Sequence, residues 1–273
     1  MENTKIVPLI QEKLREIEQK ESVNILYAVE SGSRSWGFAS PDSDYDVRFI
    51  YVRTPRDYLR LDQKRDVIEW EMNEVYDING WDIRKALLQF YKSNATVFEW
   101  SNSPIVYQEK EEWKQIYATA KAYFSVKTAL YHYYGVAKST YCQFLCGEEV
   151  KYKKYFYALR PLLSCRYLWE HRCPPPTVFS ELMQVELPGE LRKEIEALLE
   201  KKKQTMEGER HSPIPAVQKF ISDELEIWKQ RAEEIKEEKK GDWEALNQVI
   251  WDLTGISAPS RRLFMEARPL VGA

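Results

Sequence analysis

Two aspartates that stand two residues apart lie directly before an apolar run, in the segment SDYDVRFIYV. Side chains at this spacing point to the same face of a strand, so the carboxylates of Asp44 and Asp46 would project side by side. Like charges held this close are unfavourable unless a cation lies among them. Carboxylate oxygens are ligands for Mg²⁺, commonly together with substrate phosphates. The pair therefore predicts a magnesium site.

A glycine-serine turn precedes the acidic pair, at Gly32 and Ser33. Such a turn can offer backbone N–H groups and a hydroxyl to phosphates. The turn and the acids together predict a phosphoryl-transfer site, in which two metal ions about 4 Å apart activate an attacking hydroxyl and stabilise the leaving pyrophosphate. Asp42, in the turn-forming segment SPDSD, is expected to belong to the loop.

Other catalytic motifs are missing from the sequence. It contains no GxSxG elbow, no HExxH helix and no Walker loop. With only three histidines, a Ser-His-Asp hydrolase has little support. The formal net charge of -3 does not indicate a strongly basic nucleic-acid binder, although a local basic patch stays possible.

The order Gly32-Ser33, Gly37 and Asp44-Tyr45-Asp46 resembles the signature of the DNA polymerase β superfamily of nucleotidyltransferases. Residues 76–107 and 153–163 also resemble its stand-alone RlaP-like branch, which is associated with RNA repair. The resemblance implies an α+β fold: a minimal polymerase β-type domain, with a mixed sheet and helices, followed by a helical domain. It also implies transfer of a nucleoside monophosphate from a nucleoside triphosphate such as ATP to a hydroxyl group, with Mg²⁺ or a substituting Mn²⁺ as cofactor.

The resemblance implies a third carboxylate on a later strand, and we assign this role to Asp77 in the segment VYDIN. Asp44, Asp46 and Asp77 are then the predicted catalytic residues and metal ligands. Asp82 competes for the third position, although it also fits the N-cap of a following helix. Glu69, Glu71 and Glu74 are weaker candidates, which we expect on an exposed hairpin.

The predicted nucleotide-binding residues come from both parts of the chain. Gly32, Ser33 and Arg34 are candidates near the acids, where Arg34 reaches a phosphate or points to solvent. Lys153 and Arg160 share a helix face with Tyr157, and this face holds the triphosphate or is a solvated surface. Arg48 lies on the strand face of the acids, where it pairs with them or with substrate. The run Lys201–Lys203 is most simply a helix surface, although RNA could use it.

The predicted acceptor follows from the resemblance and is an RNA 3′ end, with tRNA as the first choice. Single-stranded ends are held by stacking and phosphate contacts, for which the 17 Tyr and 9 Trp are suited. A small molecule such as an aminoglycoside, or a protein side chain, is the enzymatic alternative. A non-catalytic nucleotide-binding or RNA-binding module is the remaining one, and the intact acid pair argues against it.

The pattern of apolar residues predicts the elements that position these side chains. We expect strands at 23–29 and 44–52, the second in a central position because its last residues are apolar on both faces. The other expected elements are a helix over 8–20, a hairpin over 67–79 turning near Asn73, a helix over 82–92, consecutive helices over 112–172, charged helix over 189–240 and a last helix at 243–255. Pro161 is expected to kink its helix or begin a new one.

These elements predict a catalytic domain over 1–108, a helical domain over 109–255 that closes the nucleotide cleft, and a poorly patterned tail over 256–273. No signal peptide and no run of about 18 apolar residues is present, which predicts a cytoplasmic protein with no membrane partner. The four cysteines lack CxxC spacing and are expected to be reduced thiols. The sequence carries no signature of an oligomeric state.

Overall fold

A computed structural model describes residues 3–40, 42–204, 209–236 and 241–255, so the predicted tail lies outside the described residues. The fold is α+β, as expected: a mixed sheet with helices is followed by a longer helical region. None of the helices in the described ranges combines the length and apolar character needed to cross a membrane. All four cysteines are free thiols.

The sheet places the strand that follows the acidic pair at its centre. The described strands are β1 (Asn24–Glu30), β2 (Tyr45–Val52), β3 (Val67–Met72), β4 (Tyr76–Asp82) and β5 (Val106–Glu109). Their order is β3-β4-β2-β1-β5, in which β2 and β4 run parallel and the other neighbours are antiparallel. The central place of β2 confirms the prediction, since Phe49 and Ile50 pack into cores on opposite faces.

Helices cover both faces of the sheet. On one face lies α1 (Asn3–Glu21), which buries Ile10, Leu14 and Ile17. This helix begins five residues before Pro8, so the predicted start at residue 8 is wrong, and Pro8 lies inside the helix. The other face is covered by helices that include α4 (Ile83–Tyr91), α5 (Ala95–Ser101) and α6 (Glu111–Ala120).

Local hydrogen bonds explain where several elements begin. Thr54 caps the short α3 (Pro55–Tyr58) by accepting from the backbone N–H of Asp57. The β3–β4 hairpin turns at Asn73. The side-chain oxygen of Asn73 accepts hydrogen bonds from the backbone N–H groups of Val75 and Tyr76, both at 2.8 Å. The turn at Asn73 confirms the predicted hairpin, and at both places Asn and Thr oxygens replace the backbone partners missing there.

The second half of the chain is helical, as predicted. Its described helices are α7 (Val126–Phe144), α8 (Tyr152–His171), α9 (Phe179–Leu182), α10 (Gly189–Gln204), α11 (Pro215–Glu234) and α12 (Glu244–Thr254). The stretch over 189–240 is therefore not one helix. Pro161 lies inside α8 and does not begin a new helix.

Residues of each half pack against or bond residues of the other half. Lys202 of α10 is buried and donates to the backbone oxygen of Phe38 at 2.6 Å, so this lysine does not lie on a helix surface as expected. Leu246 of α12 packs in the core on the sheet side, whereas Phe38 packs in the helical core. The division at residue 108 stays a prediction about domains.

Candidate active site

Asp46 and Asp77 meet where the parallel strands β2 and β4 begin. The two residues are partners in the register of this pair, so their side chains leave neighbouring strands on the same face. Asp44 directly precedes β2. The structure thus brings the predicted third carboxylate beside the acidic pair, although 31 residues separate Asp46 from Asp77 in the chain.

Arg48 lies between these two carboxylates. Its Nη2 is 2.6 Å from Oδ2 of Asp77 and 3.1 Å from Oδ1 of Asp46. Its Nη1 donates to the backbone oxygens of Asp77 and Val47, at 2.7 Å and 3.1 Å. Of the two interpretations left open by the sequence, the structure shows Arg48 paired with the acids.

The glycine-serine turn is drawn against Asp46. The backbone N–H of Ser31 donates to the backbone oxygen of Asp46 at 2.8 Å. Gly32 has a φ of +62°, and a Cβ added there would lie 2.0 Å from Oδ2 of Asp46. Only glycine fits, because any side chain would both strain the backbone and displace the carboxylate.

Burial raises the pKa of Asp46, because the charged form loses water. The carboxylates of Asp44 and Asp77 raise this pKa further, whereas Arg48 and Lys153 lower it. Asp44 and Lys153 therefore lie close enough to Asp46 to act on its charge. A cation that joined the three acids would relieve their mutual repulsion.

Glu30 is a further acid beneath the site and was not among the site residues predicted from the sequence. Its side chain is fully buried, accepts the backbone N–H of Asp46 at 2.9 Å and accepts the hydroxyl of Tyr107. Burial raises the pKa of Glu30 to about 7. An acid that ends an apolar strand directly before the glycine-serine turn was the available signal.

The residues predicted to hold phosphates differ in their surroundings. Ser33 is buried, and no described group forms a hydrogen bond with its hydroxyl. The N–H groups at the start of the four-residue helix α2 (Gly32–Ser35) lack internal partners, as in any first helical turn. Arg34 instead bonds the backbone oxygens of Ser43 and Asp44, at 2.6 Å and 2.9 Å. Arg34 therefore clamps the acidic loop.

Lys153 and Arg160 of α8 have different environments. Lys153 acts on the charge of Asp46 and lies over the ring of Tyr157 at 5.7 Å. Arg160 is only 4% exposed, forms an ion pair with Glu99 at 2.9 Å and lies against the ring of Trp36. Nucleotide contact by Arg160 stays a prediction. The observed contacts of Arg160 connect α8 to Glu99 of α5 and to Trp36.

Asp82 has the capping role that the sequence favoured. It is the N-cap of α4, and its carboxylate accepts from the backbone N–H of Arg84 and from the hydroxyl of Tyr58, both at 2.9 Å. It stands at the opposite end of β4 from Asp77. Of the weaker candidates, Glu69 and Glu74 are exposed on the hairpin, and Glu71 forms an ion pair with Lys13.

The open oxygen atoms suit one hard cation. In the part of the chain that the structure describes, the Asp44 carboxylate and Oδ2 of Asp46 have no hydrogen-bond partner, and the approach of Gly32 shapes the space beside Oδ2. Ionised oxygen donors of this kind fit Mg²⁺. Across the same described residues, no three His, Cys, Asp or Glu side chains converge into a metal-binding group. Oδ2 of Asp77 lies 2.6 Å from Nη2 of Arg48.

Three comparisons show which known proteins this chain is similar to. Residues 6–252 match the family model RlaP, described as the RNA repair pathway DNA polymerase β family. The uncharacterized protein YcgL of Bacillus subtilis (strain 168) is 43% identical over 244 residues, which cover 88% of this chain and 93% of that protein. The crystal structure of a nucleotidyltransferase-like protein from Exiguobacterium sibiricum 255-15 aligns over 94% of this chain and 84% of that chain, with 11% identity and a TM-score of 0.31.

Proposed function

This chain belongs to the RlaP family of RNA repair pathway DNA polymerase β proteins, and from that membership we propose that it transfers a nucleoside monophosphate to the 3′ end of an RNA. The donor is a nucleoside triphosphate, and pyrophosphate is the second product. A tRNA is the first candidate acceptor. By its family, the chain is a polymerase β-type, nucleotidyltransferase-like protein.

One observation carries this proposal: acids of two parallel strands lie where these strands begin, and a glycine approaches one of them closely. Asp46 and Asp77 are in register, Asp44 acts on the charge of Asp46, and Gly32 approaches Oδ2 of Asp46. A fold does not need like charges in one place for stability. Such a cluster is typical of a site that binds a cation and phosphates.

Each residue has a proposed role in the transfer. The N–H groups of the turn and the Ser33 hydroxyl hold the triphosphate, and Lys153 adds a positive charge beside Asp46. Asp44 and Asp46 would hold Mg²⁺, with Asp77 as the third acid. When bound, Mg²⁺ neutralises phosphate charge and favours the ionised form of the attacking hydroxyl. Most of the rate gain is then positioning and charge neutralisation.

An incorporation assay tests the proposal. The protein is incubated with Mg²⁺, each of four α-labelled nucleoside triphosphates in turn, total RNA and cell protein. We expect label on RNA, and we expect it to disappear in the double variant Asp44→Asn/Asp46→Asn. Asp42→Asn is the matched control, because it removes the same charge from the neighbouring loop and should keep transfer.

The other outcomes separate the alternatives. Label found only on protein or on small molecules would replace the RNA acceptor and keep the transfer chemistry. Bound nucleotide with no label on any acceptor would contradict the transfer and favour a binding module. Equal labelling by the wild type and the double variant would remove the proposed site.

A further inference from the structure

Arg48 is held in the acidic site by more bonds than a surface arginine makes. Its side chain is 13% exposed, and its two terminal nitrogens contact two carboxylate oxygens and two backbone oxygens. Its charge is permanent, because a guanidinium does not lose its proton in proteins. The space between Asp46 and Asp77 therefore already holds a cation that belongs to the chain.

The three carboxylates differ in how many oxygens remain open. Both oxygens of Asp77 have partners: Oδ2 accepts from Arg48 at 2.6 Å, and Oδ1 accepts from the side chain of Asn79 at 3.2 Å. Asp46 has one oxygen on Arg48 and one open, and neither oxygen of Asp44 has a hydrogen-bond partner among the described residues. Open oxygens thus lie on the Asp44 side of the site.

A second divalent ion between Asp46 and Asp77 would compete with the guanidinium in two ways. It would need the same oxygens, and it would bring two positive charges to within a few ångströms of a third. Repulsion between charges at such distances is strong in a partly buried site, where water screens it poorly. Binding there would require Arg48 to leave four acceptors at once.

We propose that Arg48 is a positioning residue that takes the place of a second divalent ion, so that the loaded site holds one ion, on Asp44 and the open oxygen of Asp46. Asp77 is then the partner that fixes Arg48, and Arg48 in turn orients Asp46. This inference rests on the proposed function, since it assumes that Asp44 and Asp46 bind a metal. It replaces the two-ion arrangement implied by the resemblance with one ion and one arginine.

Counting bound Mn²⁺ tests the inference independently of transfer. The full chain is titrated with Mn²⁺ at one equivalent of a nonhydrolysable triphosphate analogue, and free Mn²⁺ is followed by electron paramagnetic resonance. We expect one Mn²⁺ per complex for the wild type and two for Arg48→Gln, because the variant releases Asp77 and one oxygen of Asp46. Asp44→Asn should weaken the single wild-type site by at least about tenfold.

Arg48→Lys is the second variant, used in case the glutamine variant does not fold. A lysine keeps the positive charge, but its single ammonium group cannot bond all four acceptors as the forked guanidinium does. We therefore expect one bound ion, with an affinity different from that of the wild type. Two ions in the wild-type complex would overturn the inference, as would an unchanged count of one in folded Arg48→Gln. If transfer occurs and two ions bind, only this inference fails; if neither transfer nor Mn²⁺ binding occurs, the proposed function fails with it.

Discussion

The pair of parallel strands β2 and β4 has aspartates at its first end, on both strands, and at its second end, on β4, and these aspartates make different contacts. At the acidic end, defined by Asp44, Asp46 and Asp77, one carboxylate oxygen of Asp46 bonds an arginine and the other is open. At the capped end, defined by Asp82 and Tyr58, both oxygens of the aspartate accept from neutral donors. Burial raises the pKa of Asp46 and of Asp82 alike.

This difference shows that neither a buried acid nor a cavity identifies the site. The capped end has a cavity of about 150 Å³, and basic side chains from α4, from the loop between α3 and β3 and from Arg53 line it. Yet its aspartate has no open oxygen, because it is used to begin a helix. Unsatisfied carboxylate oxygens beside a glycine turn are what distinguish the acidic end.

The largest expected effect is a loss of catalytic rate at the acidic end and a loss of stability at the capped end. Asp46→Asn should lower kcat/KM by about 10²–10³-fold, the loss typical of removing one charge-stabilising group, with little change in stability. Asp82→Ala should instead lower the free energy of unfolding by about 1–3 kcal/mol, because α4 loses its N-cap and Tyr58 loses its acceptor. Urea unfolding and the incorporation assay measure the two quantities.

A reversed result would exchange the roles of the ends. If Asp82→Ala stayed stable but lost transfer, Asp82 would be the third catalytic acid and Asp77 a structural one. Asp82→Asn serves as the control, because asparagine keeps the cap and should keep most of the stability.

Gly32→Ala should show a smaller loss of transfer. The added Cβ would lie 2.0 Å from Oδ2 of Asp46, so the carboxylate must move, and a displacement of about 1 Å can cost about 10²-fold in rate. Gly255→Ala is the matched control, since Gly255 has a similar φ of +67° and nothing within 4 Å of the added atom. Both variants should lose about 1–2 kcal/mol from the left-handed backbone, and only Gly32→Ala should lose transfer. Equal kinetics for the two variants would refute the close approach of Gly32 to Asp46.

Glu30→Gln should change how stability depends on pH. Burial raises the pKa of Glu30 from 4.5 to about 7, so the folded state binds a proton that the unfolded state has lost between these values. Wild-type stability should therefore fall as pH rises from about 4.5 to about 7, by up to about 3 kcal/mol from this group.

Glutamine stays neutral, so the stability of the variant should not fall with pH in this way. The variant should therefore become more stable than the wild type as pH rises. Free energies of unfolding at pH 5 and pH 8 check the difference. Parallel profiles for the two proteins would mean that Glu30 does not carry the buried proton.

The smallest effect is expected at the capped end. Arg65→Ala removes an exposed ion pair with Glu69, whose atoms are 3.5 Å apart, and should change the free energy of unfolding by less than about 0.5 kcal/mol. Transfer should not change. A raised KM for RNA would instead indicate that this end contacts the acceptor, and Glu69→Ala would then separate loss of the pair from loss of the positive charge.

Local patterns in the sequence determined the secondary-structure elements and the neighbouring positions of Asp44 and Asp46 at the acidic end. Spacing alone put Asp44 and Asp46 on one face before a central strand, placed the hairpin at Asn73 and favoured Asp82 as a cap. The predictions of the hairpin and of the cap succeeded because turns and caps depend on neighbours within a few residues. The predicted start of α1 at residue 8 is wrong. The helix begins at Asn3 and continues through Pro8, because its apolar face packs on the sheet on both sides of this proline.

Only the tertiary structure decided which distant groups meet. The bond from Arg48 to Asp77 depends on the register of two parallel strands, and the buried place of Glu30 depends on Tyr107 from β5. The contact of Lys202 with Phe38 joins residues 164 positions apart. No periodicity encodes such pairs, because strand register and helix packing are set by the whole core. The sequence thus determined which acids are candidate cation ligands, and the packing decided that two of them share an arginine.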